Sequence, residues 1–315
     1  MKKNILITGG TGSFGKVFVS HMLSKYKNSK IFVYSRDEMK QWEMSNDVSS
    51  DQVKFIIGDV RDREKLHKSI YNMDYVVHAA ATKIVPTSES NPEECIKTNI
   101  LGAMNVIEAS INHKVKKVIA LSTDKACNPI NLYGATKLAS DKLFVANSIN
   151  HQHKTIFSIV RYGNVINSRG SVIPFFKKYI GKREVPITHP DMTRFFITIE
   201  DAVMFVDQCF RYSRGGEIFV KKAKSMKITE LAKIIIPKIK LKYIGIRPGE
   251  KIHEIKISEN DSDNTYEFND HFRIIPQEGK KFENFCKENK NKKVKKGFVY
   301  SSKKTSKNFN IKKLI

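Results

Sequence analysis

Ile5-Leu-Ile-Thr-Gly-Gly-Thr-Gly-Ser-Phe-Gly15 stands almost at the start of the chain, and its reading decides the fold. A short apolar run ends at Thr8, and Gly9, Gly12 and Gly15 follow at three-residue spacing. Glycines there allow a tight turn and a close backbone approach, so that the N-terminus of the next helix can hold a pyrophosphate. A merely tight turn would not need all three. The spacing therefore predicts a strand, a dinucleotide-binding loop and a helix, with Gly9, Thr11, Gly12, Ser13, Phe14 and Gly15 lining the phosphates.

Outward from this loop, short apolar runs alternate with amphipathic stretches, the pattern of a doubly wound parallel sheet. Strands are expected at 4–8, 30–35, 53–57, 75–78, 117–122 and 157–161. Their Val and Ile content without polar alternation says that both faces are covered. Helices are expected at 15–24, 63–71, 92–113 and 133–145. After about residue 163, prolines at 174, 186, 190, 237, 248 and 276 break the chain into shorter elements. The expected architecture is an α/β, Rossmann-type sheet with a smaller C-terminal substrate-binding lobe. Residues 1–163 form the dinucleotide domain, with a helix at 198–210 placing 196–215 back on it. Residues 164–195 and 216–315 form the lobe, where Phe282, Phe285, Phe298 and Tyr300 suggest that part of the tail packs.

The 315 residues carry a net charge of +24, and 40% of them are hydrophobic. A charge of that size invites a nucleic-acid reading. Its distribution argues otherwise, because 13 lysines against two glutamates lie in residues 280–315. The remainder is scattered without arginine blocks or interleaved aromatics. Dianionic sugar nucleotides and a phosphorylated dinucleotide suit such a surface equally well. Cys95, Cys127, Cys209 and Cys286 lie far apart with no ligand spacing, so neither a metal site nor a disulfide framework is expected. No apolar stretch approaches the ~20 residues needed to span a bilayer. No leader is visible, and a cytoplasmic setting is expected.

At the end of the second strand, NAD enzymes usually place an acidic residue on the ribose. Here Arg36 takes that position, beside Asp37, with Lys40 one turn on and Gln41 next to it. Two cations favour a 2′-phosphate and hence NADP. Asp59 and Val60 after the third strand, and Ala79 and Ala80 after the fourth, are expected to flank the cofactor. The fifth strand ends in Ser122-Thr-Asp-Lys125, and Tyr133-Gly-Ala-Thr-Lys137 follows. Tyr133 and Lys137 share a helix face. An ammonium beside a phenol stabilises the phenolate, so that Tyr133 can take a hydroxyl proton.

With the glycine loop, this pairing resembles the extended short-chain dehydrogenases. The segments 122–126, 128–137, Arg161-Tyr-Gly-Asn-Val165, Ser168-Arg-Gly-Ser-Val172, Met192-Thr-Arg-Phe195 and Ile246-Arg-Pro-Gly-Glu-Lys-Ile-His-Glu254 resemble those of the inverting UDP-N-acetylglucosamine 4,6-dehydratases. The resemblance runs from Ile5 to about Tyr300. It implies the first step of pseudaminic acid synthesis for flagellin glycosylation, and a homo-oligomer, as large as a hexamer. It also implies roles: Tyr133 takes the 4-hydroxyl proton, Lys125 the C5 proton, and Asp124 protonates the departing C6 hydroxyl. Lys125 then needs a lowered pKa, and Asp124 must be neutral. Asn164, Arg194 and Arg247 would meet the UDP-sugar, with Arg169 and Glu250 as further candidates and Lys83 reaching nicotinamide or sugar. Ile84 stands where that family carries histidine, and Cys127 where it carries alanine. A C4 epimerase or reductase would keep Tyr133 and Lys137 without needing Asp124 and Lys125. A non-catalytic nucleotide- or RNA-binding scaffold would need none of the four.

Overall fold

Strands buried on both faces must lie in the middle of a sheet, and the apolar runs of the first half do so except that at 53–57, which stands at the sheet edge and is partly exposed. The computed structural model describes residues 3–48, 50–149, 153–276, 280–304 and 311. In chain order the first half runs β1 (Asn4–Thr8), α1 (Ser13–Lys25), β2 (Lys30–Ser35), α2 (Glu38–Asp47), β3 (Val53–Ile57), α3 (Arg63–Ile70) and β4 (Tyr75–His78). It continues with α4 (Val85–Ser90), α5 (Pro92–Ile96), α6 (Gly102–Asn112), β5 (Lys117–Thr123), α7 (Leu132–Ile149) and β6 (Ile156–Tyr162). These six strands are parallel in the order β3-β2-β1-β4-β5-β6. Leu6, Ile7, Val33, Val76, Val118 and Ile159 are fully buried along them.

The stretch expected as one helix at 92–113 is interrupted by a π-helical turn at Lys97–Leu101. The wide turn puts Asn99 inside, where its Oδ1 accepts from Thr82 N (2.8 Å) and its Nδ2 donates to Thr136 Oγ1 (3.0 Å). Such turns mark places where a side chain is re-aimed. This one ties the segment after β4 to α7.

The second half brings β7 (Asn164–Val165), α8 (Val172–Lys177), β8 (Glu184–Ile187), β9 (Thr193–Ile197), α9 (Ile199–Tyr212), β10 (Ile218–Lys221), β11 (Lys224–Lys227) and α10 (Ile228–Ile235). Then come β12 (Lys240–Tyr243), β13 (Ile255–Ile257), β14 (Thr265–Glu267), β15 (His271–Ile274), α11 (Lys280–Asn289) and β16 (Tyr300–Ser301). Helix α9 is capped by Thr198, whose Oγ1 accepts from Asp201 N at 3.0 Å. It lies against α1, and its buried Asp207 accepts from Tyr26 (2.8 Å) and His21 (3.1 Å) and pairs with Lys25. A second core, including Phe176, Val185, Ile187, Met192 and Leu231, fills the lobe formed by β7-β9-β11, β8-β12, α8 and α10.

The division at residue 216 needs correction. Strand β10 joins the large sheet parallel to β6, and β15 and β14 extend it antiparallel. The reason is burial: Phe219 and Val220 cover an edge of β6 that would otherwise stand open. The tail also packs, with Phe285 against Tyr266 (5.2 Å between ring centroids), Phe298 against Phe272 (5.4 Å) and Tyr300 against Phe195 (5.0 Å). The side chain of Phe282 lies outside the described residues. Among the described residues no helix is long and apolar enough to cross a membrane.

In the glycine loop, a Cβ on Gly15 would lie 2.1 Å from the Gly10 carbonyl oxygen. Gly15→Ala therefore forces the first turn of α1 off β1. We expect a loss of about 1–3 kcal/mol in urea unfolding; an unchanged midpoint would show that the loop relaxes freely.

Candidate active site

A strand that ends in the middle of a parallel sheet delivers its last residues to the crevice above the sheet. Strand β5 ends at Thr123, and a 3₁₀ turn, Asp124–Ala126, follows at once. Thr123 Oγ1 accepts from Lys125 N at 3.3 Å, closing the turn. The Lys125 chain folds back so that Nζ donates to Asp124 Oδ1 at 3.0 Å. Asp124 is fully buried, and its Oδ2 has no hydrogen-bond partner. Burial works against its charge, but Lys125, with Lys256 and Arg194 behind it, holds the carboxyl below the usual carboxylate range. Burial works against the Lys125 ammonium as well, and Asp124 and Glu254 together raise it above the usual lysine value. The resting pair is thus carboxylate and ammonium, the reverse of the states expected from the resemblance. The cause is mutual: two charges this close keep each other ionised.

Helix α7 starts against this turn. A Cβ on Gly134 would lie 2.3 Å from the Lys125 carbonyl oxygen, so only glycine lets the helix come this close. Asn131 Oδ1 accepts from Gly134 N at 2.7 Å, and its Nδ2 donates to Gly249 O at 2.7 Å. Tyr133 and Lys137 are both buried on α7. Burial pushes the Tyr133 phenol up to about 12, with Lys125 and a hydrogen bond to Thr123 pulling the other way. Burial also lowers Lys137, which Asp141 partly offsets. Lys125 is thus one cation that acts on the phenol. Behind the site, Arg161 donates to Asp141 Oδ2 (3.2 Å) and to Lys256 O (3.0 Å), fastening β6, α7 and β13 together.

Two buried groups at this centre were not singled out from sequence. Glu254 is 2% exposed, and its Oε1 lies 3.4 Å from Lys125 Nζ and 3.8 Å from Arg194 Nε. Lys256 is fully buried, donates to Lys221 O at 3.0 Å and lies 4.2 Å from the Phe195 ring centroid. Burial lowers it to about 7, against the pull of Asp124. A Glu-x-Lys stretch at the start of a short strand carries no local signature; only the fold turns it inward.

Of the sugar-side candidates, Asn164 has a buried Oδ1 without a partner. Arg194 is nearly buried; it donates to Thr193 O (2.8 Å) and Ile252 O (3.1 Å) and faces Glu250 at 3.6 Å. Arg247 is exposed and pairs with Glu250 at 2.8 Å. Arg169 lies elsewhere. Its N–H donates to Ser13 Oγ (3.2 Å), its carbonyl accepts from Lys83 Nζ (3.3 Å), and its guanidinium helps hold Asp37 below the usual range. That places it over the glycine loop, on the cofactor side.

The loop suits a dinucleotide. Helix α1 opens at Gly12 without a side-chain cap, leaving its N-terminus to an anion. Asp37 caps α2 and pairs with Lys40, while Arg36 is largely exposed, 3.6 Å from Asp59. Gln41 is buried, its amide donating to Ser35 O and Ile56 O, so it holds the ends of β2 and β3. Val60 is buried in the core, and Asp59 is bound by Arg61. Ala79 and Ala80 donate to Thr8 Oγ1, both at 3.2 Å.

Comparison with known proteins places this geometry in context. A family model described as polysaccharide biosynthesis protein matches residues 5–276. A Campylobacter jejuni protein named UDP-N-acetylglucosamine 4,6-dehydratase (inverting) is 58% identical over 95% of this chain and 92% of its own length. A Rickettsia akari protein named UDP-glucose 4-epimerase is 45% identical over 88% of this chain and 84% of its own. Among solved structures, that of Pen from Bacillus thuringiensis superposes with a TM-score of 0.91 at 35% identity, covering 99% of this chain and 97% of that one.

The buried lysine makes stability depend on pH. Lys256 in the folded chain takes a proton only below about 7, whereas the unfolded chain takes it up to the ordinary lysine range. Between these limits the unfolded state binds more protons, so the contribution of Lys256 to stability rises with pH. Between pH 7 and 9.5 the wild type should gain about 2–3 kcal/mol on Lys256→Met in urea unfolding. Parallel curves would mean that the folded Lys256 keeps its proton over this range as the unfolded chain does.

Proposed function

Since the chain belongs to the polysaccharide biosynthesis protein family, among the inverting UDP-N-acetylglucosamine 4,6-dehydratases, we propose that it acts on UDP-N-acetylglucosamine. The product is UDP-2-acetamido-2,6-dideoxy-β-L-arabino-hex-4-ulose, formed by loss of water with inversion at C5. The observation that carries this reading is the buried Asp124–Lys125 pair at 3.0 Å, beside Tyr133. Elimination across C5 and C6 needs a base and an acid together; oxidation at C4 alone needs only the base that Tyr133 supplies.

Tyr133 takes the proton of the 4-hydroxyl; burial raises its phenol, and Lys125 and Thr123 offset part of that rise. A bound nicotinamide would accept the C4 hydride and give it back at C6, and C5 then takes a proton on the face opposite the one that lost it. The 4-ketone acidifies C5. Lys125 and Asp124 begin in the wrong charge states, and one proton moving from Nζ to Oδ1 along their hydrogen bond corrects both. Entry of the sugar expels water from around the two charges, which favours the neutral pair. Lys125, now an amine, takes the C5 proton. Asp124, now a carboxylic acid, protonates the C6 hydroxyl, which leaves as water. The C5–H and C6–O bonds break, the C5–C6 double bond forms, and Lys125 and Asp124 end as ammonium and carboxylate.

NADP is the proposed cofactor, supported by Lys40 and Arg169 beside Asp37 and by Arg36, which faces Asp59 at 3.6 Å. Asn164, Arg194 and Arg247 are proposed to hold the sugar nucleotide, and arginine forks suit its diphosphate. We place the enzyme in the cytoplasm, at the first step of pseudaminic acid synthesis for flagellin. We propose a homo-oligomer as well, supported by exposed Ile96, Leu101 and Met104 on and beside α5 and α6. The rickettsial relative supports a second reading, C4 epimerisation.

Proton NMR in D₂O with UDP-N-acetylglucosamine and no added cofactor separates the two. Dehydration gives a C6 methyl signal, a 4-keto product, deuterium at C5 and L-arabino couplings. Epimerisation changes only the C4 configuration, and that outcome would overturn the dehydratase reading. Lys125→Met should cut C5 deuteration by about 10²–10⁴-fold.

A further inference from the structure

A buried carboxylate needs partners for both oxygens, and Glu254 has them for one. Its Oε1 is shared by Lys125 Nζ (3.4 Å) and Arg194 Nε (3.8 Å), while Oε2 is buried without a partner among the described residues. The residue is not held there by chance. Its N–H donates to Ser302 Oγ (2.9 Å), and its carbonyl accepts from Ser302 N (2.8 Å). Ser302 Oγ in turn meets Thr193 Oγ1 (2.8 Å), which also meets His253 Nδ1 (2.8 Å). The residue just beyond β16 therefore fixes the backbone of Glu254 against β9, the strand that carries Arg194.

We infer that Glu254 is a further positioning residue of the reaction, the carboxylate that joins Lys125 to Arg194 and decides when Nζ gives up its proton. The inference deepens the proposed function and rests on Lys125 being the base. The ammonium is faced by Asp124 from its own turn, by Tyr133 from α7, by Arg194 from β9, and by Glu254 and Lys251 from the segment before β13. Lys256, on β13, acts on the site through Asp124. Asp124 and Glu254 are the two anions that favour the charged amine, whereas Arg194 opposes it. Asp124 is consumed as the acid. Glu254 has no bond to break and can hold Lys125 charged until the sugar nucleotide engages Arg194. Its spare oxygen is free to accept a hydrogen bond from a sugar hydroxyl.

The test compares Glu254→Gln with wild type in the full chain. First, competitive acetylation with acetic anhydride across pH, read on the Lys125 peptide by mass spectrometry, follows the amine without any sugar. Removing the anion should move the Lys125 midpoint down by roughly one pH unit or more, and Glu254→Asp should restore most of it. Coincident profiles for wild type and Glu254→Gln overturn the inference. Second, the rising limb of kcat against pH should move the same way. A uniform fall in kcat with the limb unmoved would show a merely structural residue and also overturn it. Should Glu254→Gln not fold, Glu254→Asp gives the same comparison, with a smaller displacement expected and coincidence again fatal. If acetylation profiles shift while wild type leaves UDP-N-acetylglucosamine unchanged, the substrate reading falls and the link from Glu254 to Lys125 stands.

Discussion

A carboxylate stripped of water keeps its charge only when a cation lies within bonding distance, and the catalytic half of this chain is arranged around that requirement. Asp124 is wholly buried, so Lys125 must fold back onto it. Lys125 is mostly buried too and needs more than one anion, which brings in Glu254. Glu254 then needs Arg194, and Arg194 reaches Glu250, which holds Arg247 at the surface. The result is a chain of alternating charges running from the end of a central strand out to solvent. Any anion that binds at the outer arginines alters the balance at the inner pair through contacts alone.

The same logic is applied a second time, behind the first. Arg161 and Asp141 form another buried pair at 3.2 Å, and Arg161 also reaches the carbonyl of Lys256. This pair takes no part in the proposed chemistry. It keeps β6, α7 and β13 in fixed relation, and those elements carry Tyr133, Lys137 and Lys256. A reactive ion pair is free to exchange a proton because an inert one maintains the geometry around it.

What could be read from sequence follows from how local the signal is. The glycine loop and the Tyr133–Lys137 spacing are contained within a few residues, and the six parallel strands appear as continuous apolar runs, so all were legible. Helix α2 was missed because it buries only Gln41 and Met44 and reads as polar. The lobe boundary was misdrawn because β10, β14 and β15 are three or four residues long and join the main sheet only through long-range pairing. Glu254 and Lys256 escaped for a related reason, since their importance comes from burial beside residues more than a hundred positions away. Arg169 was assigned to the sugar by residue type, whereas its backbone bonds to Ser13 and Lys83 place it by the cofactor loop. Protonation states were the least legible of all. They depend on which charges meet in a dry interior, and the order of residues along the chain does not state this.

The contact between Ser302 and Glu254 has a consequence for how the molecule comes into being. The glycine loop and the first six strands of the main sheet all lie before residue 163 and are made first. The segment that steadies Glu254 is made after nearly all of this, across the Lys-rich stretch that follows β15. During synthesis the glycine loop is therefore present before the charge chain can be completed. Truncation before Ser302 would leave the glycine loop in place and remove the hydrogen bonds that steady Glu254.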